Sequence, residues 1–169
     1  QLASVSIGGV VAGVGVAEAI QTGATEAFIG NANVGQVAGL TVGNVSVDAF
    51  ASGVAVADAY GVAAGIGPLA VTANIAIAKT DPTVTAAIFD GAKVNVAGDL
   101  SVKARSLGNA HAFAVGVAVS GGVSLGGSIA KAEVRPTTRA SIGANTRIGA
   151  GGAVRVVARH NQDDSGIPL

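Results

Sequence analysis

The residues with reactive side chains are few, and their spacing suits little chemistry. The chain has two histidines, His111 and His160, and no cysteine. Thiolate metal sites and disulfides are therefore absent, and a histidine metal site would need partners at ligand spacing that neither histidine has nearby. Asp163 and Asp164 follow His160 closely; weak binding of a cation is the functional reading of this group and a solvated tail the plain one, which is expected. Gly65-Ile-Gly67-Pro-Leu-Ala70 fits a loose dinucleotide fingerprint, with Asp81 as the acidic partner. That chemistry requires a helix N-terminus beneath the pyrophosphate, yet Leu69 to Ala78 alternates with period two, so a turn in a strand array is expected instead. No Gly-x-Ser-x-Gly nucleophile elbow with plausible partners occurs. The Gly-Gly-x-Gly-x-Asp calcium repeat is missing as well. Lys93, Lys103, Arg105, Arg139, Arg147, Arg155 and Arg159 gather positive charge around one type of block. A solvated face is the plain reading, and an acidic glycan or surface polymer the functional one. No catalytic, cofactor-binding or metal residue is assigned, and no cofactor is expected.

The elements that carry these residues are extended. From Ala110 to Ala132 nearly every second residue is Ala, Gly or Ser, and the positions between include Phe113, Val115, Val117, Val119, Val123, Leu125 and Ile129. A strict period of two is the mark of a strand, whose successive side chains point to opposite faces. As one strand this stretch would run about 75 Å, so a break is expected at Gly121-Gly122 and Gly126-Gly127. Ala49 to Ala63 repeats the pattern. Composition agrees: half the residues are hydrophobic, only 3% aromatic and 12% charged. The core must come from Ala, Val and Gly, which suits pleated sheet.

A formal net charge of zero argues against nucleic acid, which needs a basic surface. High hydrophobicity without net charge argues against disorder. Gly53 to Ala78 is long and nearly uncharged, but Ala- and Gly-rich and interrupted by Pro68, so no membrane span is expected. One Tyr and four Phe cannot furnish the aromatic girdles of a membrane barrel. The start lacks the charged and apolar segments of a signal peptide, and no Met is present, so the expectation is a processed chain or a piece of a longer one.

The chain repeats itself. An offset of 54 residues lays Thr85–Ala104 on Arg139–Ala158 without a gap, with Ile88 on Ile142, Val94 on Ile148, Gly98 on Gly152 and Leu100 on Val154. An offset of 60 lays Thr25 on Thr85, Val34 on Val94, Leu40 on Leu100 and Val42 on Val102. Three units follow, approximately 1–48, 49–109 and 110–160, with a polar tail at 161–169. Each joins a strand–turn–strand block to a long small/large alternation. Asp90-Gly91 and Gly98-Asp99 are the turn signals, and Pro82 and Pro136 are expected to close further turns. Units that cannot bury their faces alone must stack. The expected fold is all-β: a repeat β-solenoid or a stacked β-layer array with an Ala/Gly/Val core. Bulky rows would fill the interior, and small rows would pack closely against a second sheet.

Ala140-Ser141-Ile142-Gly143, Ala150–Ala158 with its Gly151-Gly152 pair, and the related block Ile88–Ala104 together resemble the β-strand repeat regions of large secreted bacterial surface proteins. These include filamentous-haemagglutinin-like exoproteins and autotransporter adhesins. The copy at Thr25–Val42 departs, with Val37-Ala38 in place of the glycine pair and Gln36 where the next copy has Val96. The resemblance implies an extracellular, cell-surface β-solenoid shaft, with adhesive or assembly roles often located elsewhere in a giant chain. Exposed terminal edges invite further strands, so a non-catalytic structural or adhesive segment that self-associates end to end, or is buried by flanking repeats, is expected. Its partners would be neighbouring repeats or further copies, with a host-surface glycan or protein as a further possibility. A carbohydrate- or ice-binding module is the alternative, and a nucleotide-binding enzyme a remote one.

Overall fold

The structure, a computed structural model, describes residues 1–38, 41–163 and 165–169, leaving aside the side chain of Ser6. Among them it contains strands and turns and no helix: β1 (Leu2–Ile29), β2 (Asn33–Val34), β3 (Val45–Ile88), β4 (Lys93–Val96), β5 (Leu100–Val119), β6 (Val123–Val134), β7 (Thr137–Ile142), β8 (Arg147–Ala150) and β9 (Val154–His160). The sheet order is β1-β3-β5-β9, with β6 and β7 also on β3, and a second sheet runs β2-β4-β8. β3 doubles back in the region of Gly65–Pro68: Ala63 packs on Ala70, and Ala57 and Ala59 share a cluster with Ala76 and Ala78. It thus has a first arm, 45–64, and a second arm, 69–88.

The sequence repeat is the register of the sheets. Thr85 pairs in parallel with Arg139 and Ile88 with Ile142. Val94 pairs with Ile148 and Leu100 with Val154, each at the 54-residue offset. Val34 pairs with Val94 at the offset of 60. That longer offset then fails. Val45 lies beside Leu100, through a hydrogen bond of 2.9 Å from the Val45 N–H to the Asp99 carbonyl, and Val42, expected on Val102, has its carbonyl accepting from the Ala97 N–H instead. Five more residues therefore separate β2 from β3 than separate β4 from β5. Leu40, the other residue in that part of the alignment, lies outside the described residues.

Two compact units are resolved. The first comprises residues 1–21, 54–80 and 109–134, and the second 22–53, 81–108 and 135–169. They cut across the sequence repeats, each repeat contributing to both. In the second unit the interior is bulky: Val84, Ile88, Val94, Val96, Leu100 and Val102 are buried together. Each such side chain contributes about 1.5–3 kcal/mol of burial. In the first unit the faces are reversed. Ala55, Ala57, Ala59, Ala63, Ala70, Ala76 and Ala78 are buried there, together with Val11, Thr72, Asn74 and Thr80, while Val54, Val56, Tyr60, Val62, Phe113 and Val117 face outward. The expected bulky interior therefore holds for one unit only. Alternation allows either face to be inside; in the first unit β3's arms lie close, so the inward row is mostly alanine and a larger side chain such as Asn74 fits where glycine stands opposite it. A Cβ built on Gly61 would stand 2.5 Å from Asn74 Oδ1.

Other expectations are corrected too. The long alternation breaks once, between β5 and β6 at Ser120–Gly122, while Gly126 and Gly127 lie within β6. Pro82 does not close a turn but sits inside β3. The printed register pairs stop at Thr80↔Val134 and resume at Thr83↔Thr137, a gap that fits proline's missing N–H.

Within the second unit, turns between strands are tied from one sequence repeat to the next. Asp90 Oδ1 accepts the Ala144 N–H at 2.8 Å, and Asp99 Oδ1 accepts the Ala153 N–H at 2.7 Å, both 54 residues on. Asn44 Oδ1 accepts the Asp99 N–H at 2.8 Å in the same way. Gly91 and Asn145, also 54 apart, both adopt left-handed φ, +76° and +55°, a conformation glycine and asparagine tolerate best.

Candidate functional site

Each chemically capable side chain can now be placed. His111 is on β5 in the first unit, its side chain 67% exposed, with Nδ1 3.9 Å from Asp58 Oδ1. It is a surface residue flanked by one carboxylate. His160 ends β9 in the second unit, where register pairs it with Ser106. Ser106 Oγ lies 2.9 Å from His160 Nδ1 and 2.7 Å from Thr138 Oγ1. A serine hydroxyl on an imidazole is the start of a nucleophile–base pair. Here the serine is 1% exposed, so an external substrate has no route to its oxygen. The three side chains instead satisfy one another inside the unit, as buried polar groups must. Among the described residues no group of three His, Cys, Asp or Glu could hold a metal ion. Asp163 Oδ1 accepts the N–H groups of Ser165 and Ile167, both at 2.8 Å, and so organises the tail turn. Asp164 lies outside the described residues.

The Gly65–Ala70 stretch lies where β3 reverses, with Ile66 98% exposed at the tip. The glycines serve close backbone approach. A Cβ on Gly67 would fall 1.7 Å from the Gly9 carbonyl oxygen, and one on Gly65 would fall 2.9 Å from the Gly8 carbonyl oxygen. The Gly67 carbonyl accepts the Gly121 N–H at 3.1 Å. The segment runs on as strand, without the helix N-terminus that a pyrophosphate site uses.

Seven cations treated together in the sequence separate into different recesses of the second unit. Lys103, Arg105, Arg155, Arg159 and Val157 line one, of about 180 Å³, without an acidic side chain on its wall. Lys93 and Arg147, register partners, line another with Gln36 and Asn95. Arg139 lines a third, beside Asp90. In the first recess Arg105 pairs with Arg159 and Lys103 with Val157 across β5 and β9. The Arg105 guanidinium also stands 5.5 Å from the centre of the Phe50 ring, a cation–π contact. Three carboxylates of this unit, Asp90, Asp99 and Asp163, are engaged by backbone N–H groups in turns. The recess and the Ser106–His160 contact were not singled out from the sequence, though the 54-residue offset that sets Leu100 on Val154 also sets Arg105 on Arg159 and Ser106 on His160.

No helix among the described residues is long and apolar enough to cross a membrane. The chain matches no family model, no curated protein and no solved structure.

Proposed function

We propose that the chain is a structural segment of a large secreted bacterial surface protein: a non-catalytic β-solenoid shaft whose repeats are successive coils. The observation that carries this reading is the identity of repeat offset and parallel register, as at Ile88↔Ile142, Val94↔Ile148 and Leu100↔Val154. A shaft needs each coil to present the next with the same ladder, and the Asp90 and Asp99 contacts to the following turn do this. Parallel edges left open at the ends of such a ladder accept further strands, which supports self-association or continuation into neighbouring repeats.

The coil reading is tested by inserting one further copy of residues 85–138. Repeat stability is roughly a sum of unit and interface terms, so the enlarged chain should unfold with a larger free energy and a steeper denaturant dependence. A chain that loses its cooperative unfolding on insertion is not built from interchangeable coils. Sedimentation across a concentration series tests association. A monomer at every concentration would remove the self-associating part of the proposal.

One observation favours a second reading, an acidic glycan partner: the recess of Lys103, Arg105, Arg155 and Arg159. Such binding is charge-driven and screened by salt. Lys103→Ala with Arg155→Ala should abolish glycan-array signal; no binding by the wild type ends this reading.

A further inference from the structure

An aromatic pair on the second unit stands over a recess that carries both signs of charge. The Phe28 and Phe89 rings stack with centroids 4.9 Å apart and planes 17° from parallel. Both remain about half exposed, 56% and 46%. Phe28 covers one side of the Phe89 ring. On the other side the neighbour of Phe89 in the ladder is Gly143: Ile88 pairs with Ile142, and the Gly143 N–H donates to the Ile88 carbonyl at 2.7 Å. Glycine has no side chain to lay on the ring. The fold requires glycine there, because a Cβ would fall 2.6 Å from the Asp90 nitrogen and 2.9 Å from the Phe89 carbonyl carbon.

Phe89 and Gly143 both line a recess of about 360 Å³ between the second and third sequence repeats, a volume that suits one small molecule. The ladder register decides what else it holds. Thr85 pairs with Arg139 and Ala87 with Ser141, and all four are on its wall. Arg139 precedes Gly143 by four residues, about 13 Å of extended chain. The cation therefore stands at one end, and Phe89 with Asp90 at the other. Asp90 is held in place there, its Oδ1 accepting the Ala144 N–H at 2.8 Å. Arg139 and Asp90 form no ion pair with each other. Opposite charges that share one wall without pairing, beside an open aromatic face, are complementary to a ligand that carries both charges itself.

We infer that this recess binds a small zwitterion in which a quaternary ammonium is joined by a short linker to a phosphate, as in phosphocholine. The inference goes beyond the shaft reading and does not depend on it, since it stands on contacts between two adjoining repeats. The ammonium lies on the Phe89 face, within about 6 Å of the ring centre, where the Asp90 carboxylate adds an opposite charge. An alkylated ammonium has no N–H to donate, so an aromatic face serves it better than hydroxyl acceptors do. The phosphate meets Arg139, whose planar guanidinium matches two phosphate oxygens at once. The site is separate from the recess of Lys103 and Arg155, which has no acidic side chain on its wall. A lipid headgroup and a soluble phosphocholine present the same chemistry to it.

The test is calorimetric titration of the whole chain with phosphocholine, choline and inorganic phosphate. Phosphocholine should bind at least tenfold tighter than either half alone. Phe89→Leu, which keeps an apolar side chain without the ring, and Arg139→Gln should each weaken it at least fivefold. Asp90→Asn should weaken it as well while leaving the melting temperature in place, because the amide oxygen still accepts the Ala144 N–H as Asn44 accepts that of Asp99. That variant carries the test if Phe89→Leu fails to fold. Lys103→Ala with Arg155→Ala, in the other recess, should leave phosphocholine binding unchanged. The site is overturned if the wild type does not bind phosphocholine, if phosphate alone binds equally well, or if Asp90→Asn has no effect on binding. Cosedimentation with phosphatidylcholine vesicles, competed by phosphocholine, assigns the source to a lipid headgroup; binding of phosphocholine without cosedimentation assigns it to a soluble group, and both uphold the site. Loss of the site leaves the insertion test of the coil reading untouched.

Discussion

Asn74 and the glycines around it show how single atoms set the interior of the first unit. Its side chain is 1% exposed and occupies space that only glycine leaves free at positions 15, 61 and 116, where an added Cβ would approach to 2.5–2.6 Å. Backbones brought this close exclude even one methyl group, and overpacking of this kind costs about 1–3 kcal/mol. Gly116→Val should therefore destabilise the chain by about 1–3 kcal/mol, read as a lower urea midpoint at unchanged slope. Val56→Ala, on the outer face, should stay within about 0.5 kcal/mol. If Val56→Ala proved the more damaging, the assignment of inside and outside would be reversed. That assignment was only half legible in the sequence. Alternation from Ala110 to Ala132 fixes that two faces exist, but Val117 and Ala118 do not say which face is covered. The answer depends on the distance between sheets, set by residues far away such as Gly61 and Asn74. The Ser106–His160 contact was legible in principle, because the offset aligning Leu100 with Val154 carries on to it.

Elements are held in register by turns as much as by ladders. Asp99 receives a hydrogen bond from the Ala153 N–H, and Asn44 receives one from the Asp99 N–H, so the same position in successive repeats does the same work with a carboxylate or an amide. Asp99→Ala should cost about 1 kcal/mol, the net worth of one such bond. Asp99→Asn should restore most of it, because the amide oxygen can accept as Asn44 does. Hydrogen exchange at Ala153 reads the effect locally and melting reads it globally; a failure of asparagine to rescue would mean that charge, not acceptance, matters. The strand–turn–strand blocks were plain from Asp90-Gly91 and Gly98-Asp99, since glycine and aspartate state their turn chemistry locally. The β2–β3 connection was misjudged. Its five extra residues leave Val34 on Val94 but set Val45 beside Leu100 and take Val42 away from Val102, and apolar pattern alone does not count residues in a loop. Pro82 misled for a related reason: a strand can carry proline where its ladder is interrupted, and the interruption is set by neighbouring strands.

At the scale of the molecule, neutrality and an outward apolar face act together. With no net charge at neutral pH, copies of the chain have little long-range repulsion to keep them apart. Val54, Val56, Tyr60 and Val62 point outward along the first arm of β3. β5 brings Phe113 and Val117 beside them, with the Tyr60 and Phe113 rings 5.7 Å apart. Contiguous apolar surface of this kind promotes association, and its contribution grows when sulfate is excluded from the protein surface. Sedimentation should therefore show association strengthening with ammonium sulfate. Val56→Lys with Val117→Lys should weaken it severalfold by charging the face, while thermal stability stays nearly unchanged because both positions are already solvated. An association insensitive to both sulfate and the two lysines would place the contact on the ladder edges and leave the apolar face without a role in it.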